Sequence, residues 1–187
     1  MKNFPWSPLY GRDLRLAFGG ARRDRHDRHL AHLYAADGTW VQGEMLRLGM
    51  ARVYSFADNR SLVAAMLALE RSARTARRGI WRLQFYAVRR ADDLAQLHHD
   101  VGTFQLVEGR VLDAAKVRSR IYLNFGDNWR DDFTVSLDAR ARRLFSDAGL
   151  DALALKGMRV RVRGWLKRRN GPLIVATHPE QVEVLER

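Results

Sequence analysis

The chain contains no cysteine, only four prolines and only four lysines, Lys2, Lys116, Lys156 and Lys167. Without cysteine there is no disulfide framework, no thiolate zinc site and no thiol nucleophile, so stability must come from packing. No apolar run approaches the roughly 20 residues that cross a bilayer, and no membrane partner is expected. The opening Met-Lys-Asn-Phe-Pro-Trp lacks the apolar stretch of a secretory signal, so the expectation as written is a cytoplasmic protein. A nucleotide-cradling loop is missing too, because Gly19-Gly20 is not followed by the Lys and Ser/Thr such a loop needs. No Ser-His-Asp set suggests itself.

What is present is 187 residues, 47% of them hydrophobic, enough for one large domain or two small ones with modest cores. The cations are nearly all arginine, 29 in number, under a formal net charge of +12. Arginine's planar fork grips phosphate in two places where lysine offers a point charge, which suits a polyphosphate partner. Base composition of the gene can enrich arginine and alanine equally well, so distribution carries more weight than the total. Residues 1–90 hold a net +10 and residues 91–187 only +2. The densest stretch runs from Arg12 to Arg28, where Arg12, Arg15, Arg22, Arg23, Arg25 and Arg28 face Asp13, Asp24 and Asp27. Such a stretch is either the footprint of an anionic ligand or a solvated charged face.

Alternation in Leu14, Leu16 and Phe18 predicts a strand ended by Gly19-Gly20, and a second strand is expected over about Arg28 to Ala36. Thr39 and Gln42 have capping-box spacing before a short helix with Val41, Met45 and Leu48 on one face and Gly49 at its end. Ala51 to Phe56 reads as a strand. A longer helix from Ser61 places Leu62, Met66, Leu69 and Ala73 inward, and Ile80 and Trp81 fold back onto the core. Residues 83–102 read as a connector with one helical turn, between a first domain at 1–82 and a second at 103–187. In the second, strands are expected at Phe104–Leu112, Ser119–Phe125, Phe133–Leu137, Met158–Trp165 and Leu173–Thr177, with a helix capped by Asp138 after the third and an Asn170-Gly171 hairpin between the last two. Three strands, a helix and two strands is the order of an OB-type barrel. The fold class expected is mainly β with α (α+β).

The blocks Asp24-Arg25-His26-Asp27-Arg28-His29-Leu30, Gly38-Thr39-Trp40-Val41-Gln42, Leu48-Gly49-Met50-Ala51-Arg52-Val53 and Glu70…Ala73…Arg77-Arg78-Gly79-Ile80-Trp81 resemble, in order, the staphylococcal-nuclease-like (thermonuclease) family. The resemblance covers about residues 11 to 82. It implies a partial OB-type nuclease barrel with two helices, a Ca²⁺ cofactor, DNA or RNA as partner and phosphodiester hydrolysis by relatives that are often exported. By motif position Arg28 corresponds to one of two catalytic arginines, and Arg25 and His26 to residues near a terminal phosphate. Tyr54 lies near the nucleotide-stacking tyrosines, while Arg22 and Arg23 join as phosphate-binding cations.

The family's metal-binding aspartates, its other catalytic arginine and its catalytic glutamate lie upstream of this block, and only 23 residues precede Asp24 here. The resemblance therefore implies an N-terminally truncated, catalytically impaired nuclease whose chain binds no Ca²⁺ and whose unpaired barrel edges could pair into a homo-oligomer. Asp13, Asp24 and Asp27 are spread over a strand end and a turn rather than converging as a hard cation needs. His26, His29 and His32 recur every third residue, which on a strand sends them to opposite faces. Asp27 stands where the family has a turn glycine and is expected to take positive φ. A non-catalytic nucleic-acid-binding or protein-interaction module is the alternative function. In the second half, Tyr122-Leu123-Asn124-Phe125-Gly126-Asp127-Asn128-Trp129-Arg130 reads either as a platform for stacked bases or as core aromatics with Trp129 anchoring a turn. The near-neutral charge of that half favours the second reading.

Overall fold

The computed structural model describes residues 11–24 and 26–186, and the chain is an α+β protein of two compact units, Met1–Gln84 and Phe85–Arg187.

In the first unit, β1 (Arg15–Ala17) and β2 (His32–Tyr34) pair antiparallel with Leu16 opposite Leu33, followed by α1 (Val41–Arg47) and α2 (Val63–Thr75). The second strand is shorter than its pattern suggests. Upstream of it the chain is held by a single Arg23/His29 bridge at the base of a projecting arm. The expected capping box does not form, and Trp40 precedes α1 with no side-chain cap bond. Gln42 turns instead to β2, accepting from the Leu33 N–H at 2.9 Å and donating to the Ala31 carbonyl at 3.0 Å. Backbone groups left open beside a two-stranded sheet win the amide over the helix end. Gly49 does end α1, at φ +70°, and a Cβ there would lie 2.4 Å from the Arg78 carbonyl oxygen. Gly79 is likewise pressed against Gly49, whose carbonyl accepts from the Ile80 N–H at 2.8 Å. Two glycines in contact thus bring the ends of both helices together.

Ala51 to Phe56 is not a strand, and among the described residues its ladder contact is a Phe56/Asn59 bridge. The Val53 N–H donates to the Glu70 carboxylate at 2.6 Å, so a side chain replaces the partner strand. α2 begins at Val63 rather than Ser61, because Leu62 takes φ +58° and stays exposed. The small core comprises buried Leu46, Val53 and Val63, with Ala51, Met66, Leu67 and Leu69 packed against it. Trp81 is buried, as its fold-back predicts.

In the second unit β3 (Arg89–Arg90) runs parallel to β4 (Phe104–Arg110), with α3 (Leu94–His99) between them. Then come β5 (Asp113–Val117), β6 (Arg120–Asn124), β7 (Thr134–Leu137), α4 (Ala139–Asp147), β8 (Arg159–Arg169), β9 (Gly171–Ala176) and β10 (Val182–Glu186). The sheet order is β3-β4-β8-β9-β7-β6-β5, with β10 also on β8. β4 and β5 are successive parts of one bent segment. The first part pairs with β8 and the second with β6, so the sheet curls round on itself in the OB order, β7 parallel to β9. Inward-facing Val107, Ile121, Leu123, Val135, Leu137, Val160, Val162 and Ile174 are all buried, and Phe145 of α4 joins them. The Asp138 carboxylate caps α4, accepting from the Ala141 N–H at 2.8 Å. The hairpin at Asn170 turns more tightly than a two-residue loop, with Arg169 opposite Gly171 and Asn170 alone at φ +61°.

Candidate nucleic-acid interface

Of the sequence-predicted phosphate-binding residues, Arg22, Arg23, His26 and Arg28 lie on the arm between β1 and β2. Asp24 and Arg28 close a three-residue loop, the Asp24 N–H donating to the Arg28 carbonyl at 3.0 Å and the Asp27 N–H to the Asp24 carbonyl at 3.0 Å. Asp27 takes φ +60°, the left-handed position that ends this kind of turn. Arg25 lies outside the described residues. At the base of the arm, Gly19 and Gly20 leave room for a second segment: a Cβ at Gly19 would collide with the Ser61 side chain, and one at Gly20 would lie 2.1 Å from the Asp58 carbonyl oxygen.

Asp24 organises the loop. Its side chain is 7% exposed. Its carboxylate accepts from the His26 N–H at 2.8 Å, the Arg28 N–H at 3.0 Å and Arg28 Nε at 2.7 Å, with Arg28 Nη2 2.6 Å away. The Arg28 side-chain bond, then its backbone N–H, hold the Asp24 carboxyl down at about 2 from an ordinary 3.8, against desolvation and with help from the His26 N–H. A depressed carboxyl stabilises the folded arm at pH values above its unfolded range, and that contribution disappears as pH falls through about 2. The arm is therefore expected to keep its form down to about pH 3, and Asp24→Asn to loosen it even at neutral pH. Following the His26 and Arg28 amide resonances with pH checks this, and a midpoint near 4 would show that the pairing is absent.

Arg28 is bound along one edge, Nε and Nη2, while its side chain remains 72% exposed. A guanidinium has five N–H groups, so the outer edge can still fork a phosphate. Arg23 is spent differently, Nη1 reaching both Asp27 oxygens at 2.6 and 2.7 Å. Arg22 stacks over Phe18 with its Cζ 4.9 Å from the ring centroid, and Arg15 over Tyr34 at 4.5 Å. Tyr54 is half exposed and edge-on to Phe56 at 5.0 Å. The segment after it meets the base of the arm, where the Ala21 N–H donates to the Asp58 carbonyl at 3.4 Å. His32 leaves the histidine series altogether, since its Nδ1 accepts from Trp40 Nε1 at 3.3 Å.

Among the described residues no three His, Asp or Glu side chains converge as a metal site would. The arm's two carboxylates are turned toward arginines. A Ca²⁺ ion seeking six to eight oxygens does not fit this donor set. Gln42, expected to cap its own helix, and Glu70, noted only as part of a family block, act instead on backbone distant in sequence.

A comparison with curated proteins finds no match to the chain. Residues 9–83, which hold the arm, the glycine contact and both helices, match the family model of the staphylococcal nuclease homologues, so this segment of the chain is similar to that nuclease family.

Proposed function

We propose that the chain binds DNA or RNA through the arm of its nuclease-like unit and that it hydrolyses phosphodiesters poorly or not at all. The observation that carries the reading is Arg28, fixed along one edge by Asp24 with its other edge toward solvent, beside Arg22 and Arg23. Asp24 then acts as a positioning residue, since a guanidinium held in place loses less freedom when it binds a phosphate. Weak hydrolysis follows from the commitment of the arm's carboxylates. Water activation needs a carboxylate free to accept a proton or hold a cation, and Asp24 and Asp27 are each occupied by an arginine.

Binding measured over a range of salt tests the first part. Removing one arginine–phosphate pair lowers the slope of log affinity against log salt by about 0.7 to 0.9. Arg22→Ala and Arg28→Ala are each expected to weaken binding severalfold and flatten that slope, whichever base sequence is used. Slopes equal to that of the unaltered chain would remove the arm from the interface. Incubation with single-stranded DNA and Ca²⁺, with an EDTA control, tests the second part. Robust EDTA-sensitive cleavage that is lost in Arg28→Ala would overturn the impairment.

A further inference from the structure

The second unit carries a cleft of about 530 Å³ on the outer face of its barrel, distinct from anything on the arm. Its walls follow from strand register. Tyr122 and Asn124 of β6 point outward while Ile121 and Leu123 are buried, and Ala115 of β5 and Ser136 of β7 sit opposite Tyr122. The small side chain of Ala115 leaves a hollow beside the tyrosine ring. Asn124 is fixed by Thr134, whose hydroxyl donates to its Oδ1 at 3.3 Å. Trp129, from the loop between β6 and β7, and Arg169 and Asn170 of the β8–β9 hairpin line the cleft together. Gly171 lets the loop and hairpin meet, since a Cβ there would lie 2.2 Å from the Asp131 carbonyl oxygen. Trp129 is 56% exposed, with the Arg130 guanidinium 4.9 Å from its ring centroid. An aromatic anchoring its own loop would bury more of its surface.

The net charge of +2 over residues 91–187 conceals a separation. Glu108 pairs with Arg159 and Arg161, and Glu183 with Arg161 and Arg163, across β4, β8 and β10. Glu186 pairs with Arg159, and Asp113 with Lys156. The two hairpin tips beside the cleft are left with Lys116, Arg118 and Arg120 on one and Lys167, Arg168 and Arg169 on the other. No acidic residue lies between Ala114 and Gly126 or between Gly157 and Pro179. Aromatic faces with flanking cations and a polar floor match a strand of unpaired bases on a phosphate backbone.

We infer that this cleft binds single-stranded nucleic acid, one base stacking on Trp129 or Tyr122 while phosphates run between the two basic hairpin tips. The surface lies on a different unit from the arm, and its test is separable from the arm's. Full-length chain is titrated into fluorescent dT and rU oligomers of about 15 nucleotides, within the span of an OB-type domain. Trp129→Ala is expected to weaken binding by about five- to a hundredfold, the range for removing one base stack, while Trp129→Phe keeps most of it. Replacing Lys167, Arg168 and Arg169 together by alanine should weaken binding and flatten its salt dependence. A preference between the two oligomers identifies DNA or RNA as the source of the strand, and either supports the assignment. Binding that depends on Arg22 and Arg28 but is unmoved by Trp129→Ala overturns the cleft alone. Loss on Trp129→Ala with the arm variants silent overturns the arm alone. Quenching of tryptophan emission by an oligosaccharide or an acidic peptide, but by neither oligomer, overturns it in favour of that ligand.

Discussion

Replacing Phe133 by alanine should cost the second unit about 3 to 5 kcal/mol, the range for truncating a buried phenylalanine to a cavity. Phe133 is fully buried, and its ring lies 4.9 Å from that of Phe125 at 49°. The same two residues close the loop that carries Trp129, because the Phe125 N–H donates to the Phe133 carbonyl at 3.2 Å. The variant therefore gives up both its core packing and the packed base of that loop. Phe133→Leu fills much of the space and should cost far less. Denaturant unfolding with hydrogen exchange on the β6 and β7 peptides gives the reading: protection should fall sharply in Phe133→Ala and stay in α1 and α2. A loss below about 1 kcal/mol would mean that the neighbouring core collapses into the space, contrary to a barrel packed on all sides.

This second core is also where residue pattern speaks most clearly. Strong alternation in β6 and β8, the apolar run of β9, the Asp138 cap and the Asn170 turn are local signals, and each appears near its expected place. β5 escapes because Asp-Ala-Ala-Lys-Val has little apolar alternation and owes its pairing to β6 alone. β10 escapes because its partner, β8, lies about twenty residues upstream. The first unit is less legible for a physical reason. Its two-stranded sheet leaves backbone groups to be satisfied by side chains, so Gln42 and Glu70 serve strands and loops rather than their own helices. Asp27 is readable, since a turn glycine position held by Asp forecasts the left-handed φ that it adopts.

Net charge reads differently against the structure in the two halves. On the arm, Arg22, Arg23 and Arg28 share one short loop, though Asp24 and Asp27 hold two of them. In the barrel, summing over residues 91–187 averages paired glutamates with the cations of the hairpin tips. A phosphate backbone responds to local potential within about 10 Å at moderate salt, so a domain's net charge is the wrong length scale for judging it. The Trp129 turn, visible in sequence as an aromatic cluster, becomes a candidate only when strand register puts it beside those cations.

Glu70 gives the other large effect, and it falls on the first unit. Its side chain is fully buried in α2, accepting from the Val53 N–H at 2.6 Å and from Arg74 Nη1 at 3.0 Å. Truncation to alanine would leave the Val53 N–H without this acceptor inside the core, and Arg74, only 12% exposed, without this carboxylate. Breaking a buried pair from one side costs about 3 to 5 kcal/mol. Partial access of Arg74 to water places the expected loss near about 3 kcal/mol. A small unit whose described core clusters around Leu46, Val53 and Val63 has little reserve, since whole domains hold only about 5 to 15 kcal/mol. Glu70→Ala should therefore abolish exchange protection across α1 and α2 and remove arm-dependent nucleic-acid binding, leaving the barrel strands protected. Glu70→Gln keeps an oxygen for the Val53 N–H and gives up only the charge, so it should retain most of the fold. If both variants were equally disruptive, the carboxylate's charge would outweigh its role as a backbone acceptor. If neither moved protection in α2, the 51–56 segment would be held by its apolar contacts alone, and Glu70 would not substitute for a missing strand.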